Sequence, residues 1–66
     1  MSEKTRVKLM QTEIKYTNGK IDKWQFWQII FDLYTARKCT QKEIAAWTYA
    51  NPKLVKMRMA DFRNMS

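Results

Sequence analysis

The sequence predicts a mainly α domain: three helices, over residues 22–38, 40–49 and 51–63, preceded by an N-terminal arm over residues 1–20 that reads as a short strand or β-hairpin. Three observations lead there. Apolar residues crowd the stretch from Trp24 to Tyr34 at helical spacing. Two helix-start signatures, at Thr40 and Asn51, lie eleven residues apart. One glycine and one proline in 66 residues leave no linker, repeat or low-complexity segment to divide the chain, so it is treated as a single unit.

The arm comes first. On a wheel of roughly 100° per residue, Val7, Met10 and Ile14 share one side, but Leu9 and Tyr16 fall opposite, which makes a poor amphipathic helix. A strand suits the segment better. Ile14 and Tyr16 alternate around Lys15, and Asn18-Gly19 is the pair that best tolerates the positive φ angles of a type I′ turn, which would set Tyr16 opposite Ile21.

Asp22 then reads as an N-cap, its carboxylate accepting orphan backbone N–H groups, and a helix is expected to run to Arg37 or Lys38, whose charges suit a helix C-terminus. Trp24, Trp27, Ile30, Phe31 and Tyr34 cover one arc of it, and Phe26, Ile29 and Leu33 an adjacent one. Only the side of Gln25, Gln28, Asp32 and Thr35 is polar, so this helix asks for burial over more than half its circumference. The C-terminal helices can take one arc. The other needs the N-terminal segment or a second subunit, in which case Phe26, Ile29 and Leu33 are the dimer contact.

Thr40 followed by Glu43 is a capping box, and Asn51-Pro52 an N-cap with proline at the first helical position, where its missing N–H costs nothing. Only a last turn and a tight corner fit between them. Leu54, Val55, Met59 and Phe62 form the inward face of the final helix; Lys53, Lys56, Met57, Ala60 and Arg63 point the other way. Arg58 falls among the inward residues and must snorkel or pair with an acid such as Asp32 or Glu43.

Thirteen Lys and Arg against six Asp and Glu give a net charge of +7, which favours a polyanionic partner. Residues 1–36 hold six basic and four acidic groups, hence +2; residues 37–66 hold seven and two, hence +5. The 45% apolar content, with nine aromatic residues, is too high for a disordered chain. At this length about 60% of the unfolded surface is buried on folding, so stability is expected to be marginal.

Several function classes drop out. Without His, and with Cys39 as the one cysteine, no disulfide, metal cluster or cofactor is expected, and a reducing cytoplasm fits. Cys39 beside Arg37 and Lys38 invites the thought of an activated thiol, yet with no general base a structural cysteine is expected. No apolar run approaches the ~20 residues of a membrane span. No nucleophile context, phosphate loop or paired carboxylates stand out, so neither catalysis nor a small-molecule ligand is expected. Trp24, Trp27 and Trp47 have the chemistry to stack on single-stranded bases, but all three lie on apolar helical faces and read as core.

From Gln41 to Ala60 the chain resembles the helix-turn-helix of small phage, plasmid and bacterial DNA-binding regulators. The resemblance rests on a polar residue at the start (Gln41), an aliphatic followed by alanine (Ile44, Ala45), a small polar cap (Asn51) and a β-branched residue deep in the second helix (Val55). Thr48 stands where that family places a core aliphatic and Tyr49 where it prefers glycine, so the corner differs from the standard one. The resemblance implies a three-helix domain with the helix from Asn51 in the major groove, and groove-facing positions at Asn51, Pro52, Lys53, Lys56, Met57 and Ala60. Periodicity selects nearly the same surface.

The expected function is therefore sequence-specific binding of double-stranded DNA, as a transcription regulator, such as a repressor, or a recombination factor. Lys38, Lys42 and Arg63 are expected to anchor phosphates, and Asn51, Lys53, Lys56 and Met57 to meet bases, in a homodimer or larger assembly. The bland alternative for the lysines is a solvated helix face. A second expectation, from a different class, is an adaptor or inhibitor acting on a protein partner. A third pairs two N-terminal strands as in ribbon-helix-helix repressors, with Lys8 or Lys15 reading bases; it ranks lower because three helices, not two, follow the arm.

Overall fold

Local capping chemistry sets where each helix starts. In a computed structural model describing residues 1–48 and 50–65, the described residues form four helices and no strand: α1 (Glu3–Thr17), α2 (Lys23–Thr35), α3 (Gln41–Thr48) and α4 (Pro52–Met65). The Gln25 N–H donates to Asp22 Oδ1 at 2.7 Å and the Asp22 N–H to Gln25 Oε1 at 2.9 Å, a reciprocal box at the head of α2. Thr40 and Glu43 repeat it at α3, at 3.1 and 2.9 Å. At α4 the Lys53 N–H donates to Asn51 Oδ1 at 2.9 Å, with Pro52 in the first helical position.

The N-terminal arm is a helix, not a strand or hairpin. Ser2 caps it, its Oγ accepting from the Thr5 N–H at 3.2 Å. Asn18-Gly19 ends it instead of turning a hairpin: the Lys20 N–H donates to the Lys15 carbonyl at 2.8 Å and the Gly19 N–H to the Tyr16 carbonyl at 3.1 Å, the paired bonds of a Schellman cap. A type I′ turn requires positive φ at both central residues, whereas here Gly19 has φ +73° and Asn18 φ −85°. Tyr16 does not face Ile21 across a hairpin; its ring stacks on Phe26, with centroids 4.7 Å apart.

The difference from the expected strand has a physical cause. The side of α1 that faces the protein carries Thr5, Leu9 and Thr12, so two of its three buried residues are polar. Both hydroxyls are satisfied locally, Thr12 donating to the Lys8 carbonyl at 2.8 Å and Thr5 lying 2.9 Å from Ser2 Oγ. The apolar stripe Val7, Met10 and Ile14 is the exposed face. Periodicity of apolar residues thus marks the wrong side of this helix.

Helix α2 also stops earlier than expected. It ends at Thr35 with a second Schellman cap, in which Lys38 and Arg37 N–H groups donate to Leu33 and Tyr34 carbonyls, both at 3.0 Å, and Arg37 takes φ +60°. A left-handed conformation at a side-chain-bearing residue costs about 1 kcal/mol, and it turns the chain towards α3. Helix α4 continues to Met65, slightly past its expected end.

The core gathers Leu9, Phe26, Trp27, Ile30, Phe31, Cys39, Ile44, Ala45, Val55, Met59 and Phe62, with Ile30, Val55 and Met59 wholly inaccessible. Helix α2 lies at its centre, packed by α1 on one side and α4 on another, while α3 packs on α4. Phe31 stacks on Phe62 at 5.6 Å and Trp27 meets Phe26 edge-on at 5.7 Å. The second arc of α2 is thus covered by the chain itself: Phe26 is 8% exposed, beneath Tyr16, and Ile29 and Leu33 are half-buried. The radius of gyration is 11.1 Å, against about 10.8 Å for a compact chain of this length. No described helix is long and apolar enough to cross a membrane.

Candidate nucleic-acid interface

Burial on one side of α4 dictates what it offers on the other. Val55, Met59 and Phe62 recur at i, i+4 and i+7 and are buried, with Leu54 half-buried beside them. Lys53, Lys56, Met57, Ala60 and Arg63 are consequently all exposed, as the wheel requires. On α3, Ile44 and Ala45 face the core, which turns Lys42 and Ala46 outward.

The two outward faces meet. Gln41, Lys42, Ala46, Pro52, Lys53 and Lys56 line one shallow groove between α3 and α4, floored by Ala45 and Ala50. Small alanine side chains let the helices approach, and the lysine stems form the rims. None of these three lysines lies within ion-pairing distance of a carboxylate among the described residues. Their charges therefore add rather than cancel, and the groove is a local maximum of positive potential.

Other expected site residues sit apart from it. Lys38 lines a different groove, together with Lys4 and Lys8 from the start of α1 and Leu33 of α2. Arg63 is exposed near the end of α4, about 15 Å along the helix axis from Lys53 at 1.5 Å per residue. Asn51 is exposed, but its Oδ1 is engaged in capping α4. Bidentate recognition of adenine needs the oxygen and nitrogen of the amide together, so Asn51 has only its nitrogen to offer while the cap holds. The grouping of Lys4 and Lys8 with Lys38 escaped the sequence because a strand would not have placed those lysines, at i and i+4, on one side.

Arg58 finds a different partner from those expected. Its guanidinium lies 3.7 Å from Asp61, neither Asp32 nor Glu43, and stands over the Trp24 ring at 5.3 Å. Arg58 Nε and Trp47 Nε1 are buried without a hydrogen-bond partner. Thr48 fills the place of an aliphatic residue by donating its hydroxyl to the Ile44 carbonyl at 2.7 Å. Tyr49, the other departure at the corner, lies outside the described residues. Of the three tryptophans, Trp27 is buried, Trp47 half-buried and Trp24 half-exposed.

Two titrating groups complete the electrostatics. Burial pushes the Cys39 thiol up from its ordinary pKa, and the Glu43 carboxylate pushes it further, against a smaller opposing effect of the terminal ammonium. A buried thiol held protonated is inert, in keeping with a structural cysteine. Glu43 is held below its ordinary value by the terminal ammonium, 3.0 Å from Oε2, and by the Thr40 N–H. No cluster of three metal-ligating side chains forms among the described residues. Compared with protein-family models, with curated proteins and with solved structures, the chain gives no match.

Proposed function

We propose that this protein binds double-stranded DNA as a small helix-turn-helix regulator, with α3 bracing across the backbone and α4 entering the major groove. The observation that carries the proposal is the groove in which Lys42 of α3 joins Lys53 and Lys56 of α4, three unneutralised cations on one surface. Supporting it are the exposed α4 face and the +5 charge of residues 37–66, seven basic groups against two acidic. In this arrangement Lys42, Arg63 and, from the neighbouring groove, Lys38 contact phosphates. Lys53 and Lys56 reach guanine acceptors, and Met57, 53% exposed, supplies an apolar surface for a thymine methyl.

The test is a fluorescence titration against duplex DNA at two salt concentrations. Wild type should bind with a steep salt dependence, and replacing Lys53 and Lys56 by Ala should flatten the log–log slope by about 1–2, at roughly 0.9 for each phosphate that is no longer neutralised. Both side chains are exposed, so the variant should keep its helical circular dichroism. Unchanged duplex affinity at low salt would sink the proposal.

A second reading draws on a different surface. Ile21, Trp24, Ile29, Phe62 and Met65 line an apolar groove between α2 and the end of α4, in which Trp24 is 50% exposed. Exposed tryptophan in an apolar groove is the anchor pattern of protein recognition, which suits an adaptor or inhibitor. Failure to bind any duplex at low salt would favour it.

A further inference from the structure

Helix α1 is inverted: its apolar stripe faces away from the core. Val7, Met10 and Ile14 are 41%, 47% and 52% exposed, while Thr5, Leu9 and Thr12 on the opposite side are buried. The spacing of three and then four residues is the a and d pattern of a helix-pairing seam. Two charged residues flank the seam on one side, Arg6 and Glu13, both exposed and neither ion-paired within the chain among the described residues. Seven residues apart, they are separated by about 10.5 Å along the axis and do not reach each other within one helix.

We infer that the exposed stripe of α1 is a self-association surface, on which α1 of a second copy docks antiparallel. Charge complementarity fixes both the occupant and its direction. When Val7 and Met10 of one copy pack on Met10 and Val7 of the other, Arg6 of each copy falls beside Glu13 of the other, and two-fold symmetry makes this ion pair twice. A parallel pair instead sets Arg6 opposite Gln11 and Glu13 opposite Asn18, with no opposite charges. Because the stripe lies opposite Leu9, the two protein bodies sit on the outer sides of the helix pair and do not collide. The surface is distinct from Phe26, Ile29 and Leu33, which the chain already covers in whole or part.

The pairing is tested without DNA, by sedimentation equilibrium of the full chain up to about 1 mM, the range in which a short helix pair associates. Wild type should show a monomer–dimer equilibrium, and Met10→Glu should raise its dissociation constant at least ~10-fold, as expected for a charge forced into an apolar seam. Arg6→Glu sets like charges side by side and should weaken the dimer by about 10-fold, while Arg6→Glu/Glu13→Arg should return to within about 3-fold of wild type. Circular dichroism checks that each variant stays folded. A monomer at every concentration overturns the inference, as does a dimer in which the single and the double charge variants are equally weak.

Discussion

Helix α1 and the α2–α4 body hold their places by different means. The body buries Phe26, Trp27, Ile30, Phe31, Ile44, Ala45, Val55, Met59 and Phe62, an apolar core of stacked rings and branched chains. Helix α1 buries one large apolar residue, Leu9, adds the Tyr16–Phe26 stack, and otherwise meets the body through two threonines. Its helical state owes more to its ends, the Ser2 cap and the Schellman turn at Gly19, than to burial of an apolar face. The contrast shows that a helix without inward amphipathy persists where both termini are chemically closed and one aliphatic side chain anchors it.

The largest expected effects probe that contrast directly. Ile30→Ala, at a wholly buried site on α2, should cost about 3–4 kcal/mol. For a domain whose total stability is of order 5 kcal/mol, that leaves a chain near its midpoint at room temperature in a urea melt. Leu9→Ala should cost about 2–3 kcal/mol and act locally. Hydrogen exchange should then show α1 amides losing protection while those of α2 and α4 keep theirs. Equal loss throughout would mean that α1 is an integral part of one cooperative unit, and the contrast would collapse.

Smaller effects sharpen it. Arg37 closes α2 with φ +60°, where Gly19 closes α1 at φ +73° with no side chain to strain. Arg37→Gly should therefore stabilise the protein by about 1 kcal/mol and raise the melting temperature by roughly 4–8 °C. The same mutation tests the cap, since a helix end held by tertiary contacts alone would not respond.

The smallest effect is on pH dependence and concerns the one ion pair that joins the start of the chain to α3 among the described residues. Glu43 is held below its ordinary value of 4.5, so the folded state binds its proton more weakly than the unfolded chain does. Its contribution is thus complete above pH 4.5 and falls away as pH drops through the lowered folded value. Thermal melts of Glu43→Gln should show a shallower acid decline than wild type over that window. Parallel curves would assign the acid sensitivity to other carboxylates.

Much of this was legible in the sequence wherever structure is decided within a few residues. The caps at Asp22, Thr40 and Asn51 start helices where their side chains can reach a backbone N–H two or three residues on, a matter of local geometry alone. The inward face of α4 was legible because Val55, Met59 and Phe62 are apolar and the helix has a single buried side. Asn18-Gly19 carried a true signal with two outcomes: glycine at positive φ serves a hairpin and a helix cap alike, and the neighbouring residue's φ decides between them.

What the sequence determined by itself, then, is the set of helix starts from Asp22 onward, the faces of α4 and the uneven distribution of positive charge. Only the tertiary structure decided that residues 3–17 form a helix with its apolar stripe outward, that Phe26 is covered by Tyr16 rather than left for a partner, and that Lys38 joins Lys4 and Lys8 while Lys42 joins Lys53 and Lys56. The reason is one of range. Caps and periodicity act over one or two turns of chain, whereas which surfaces meet depends on the packing of residues far apart in sequence, and a threonine whose hydroxyl is satisfied by its own helix can be buried as readily as a leucine.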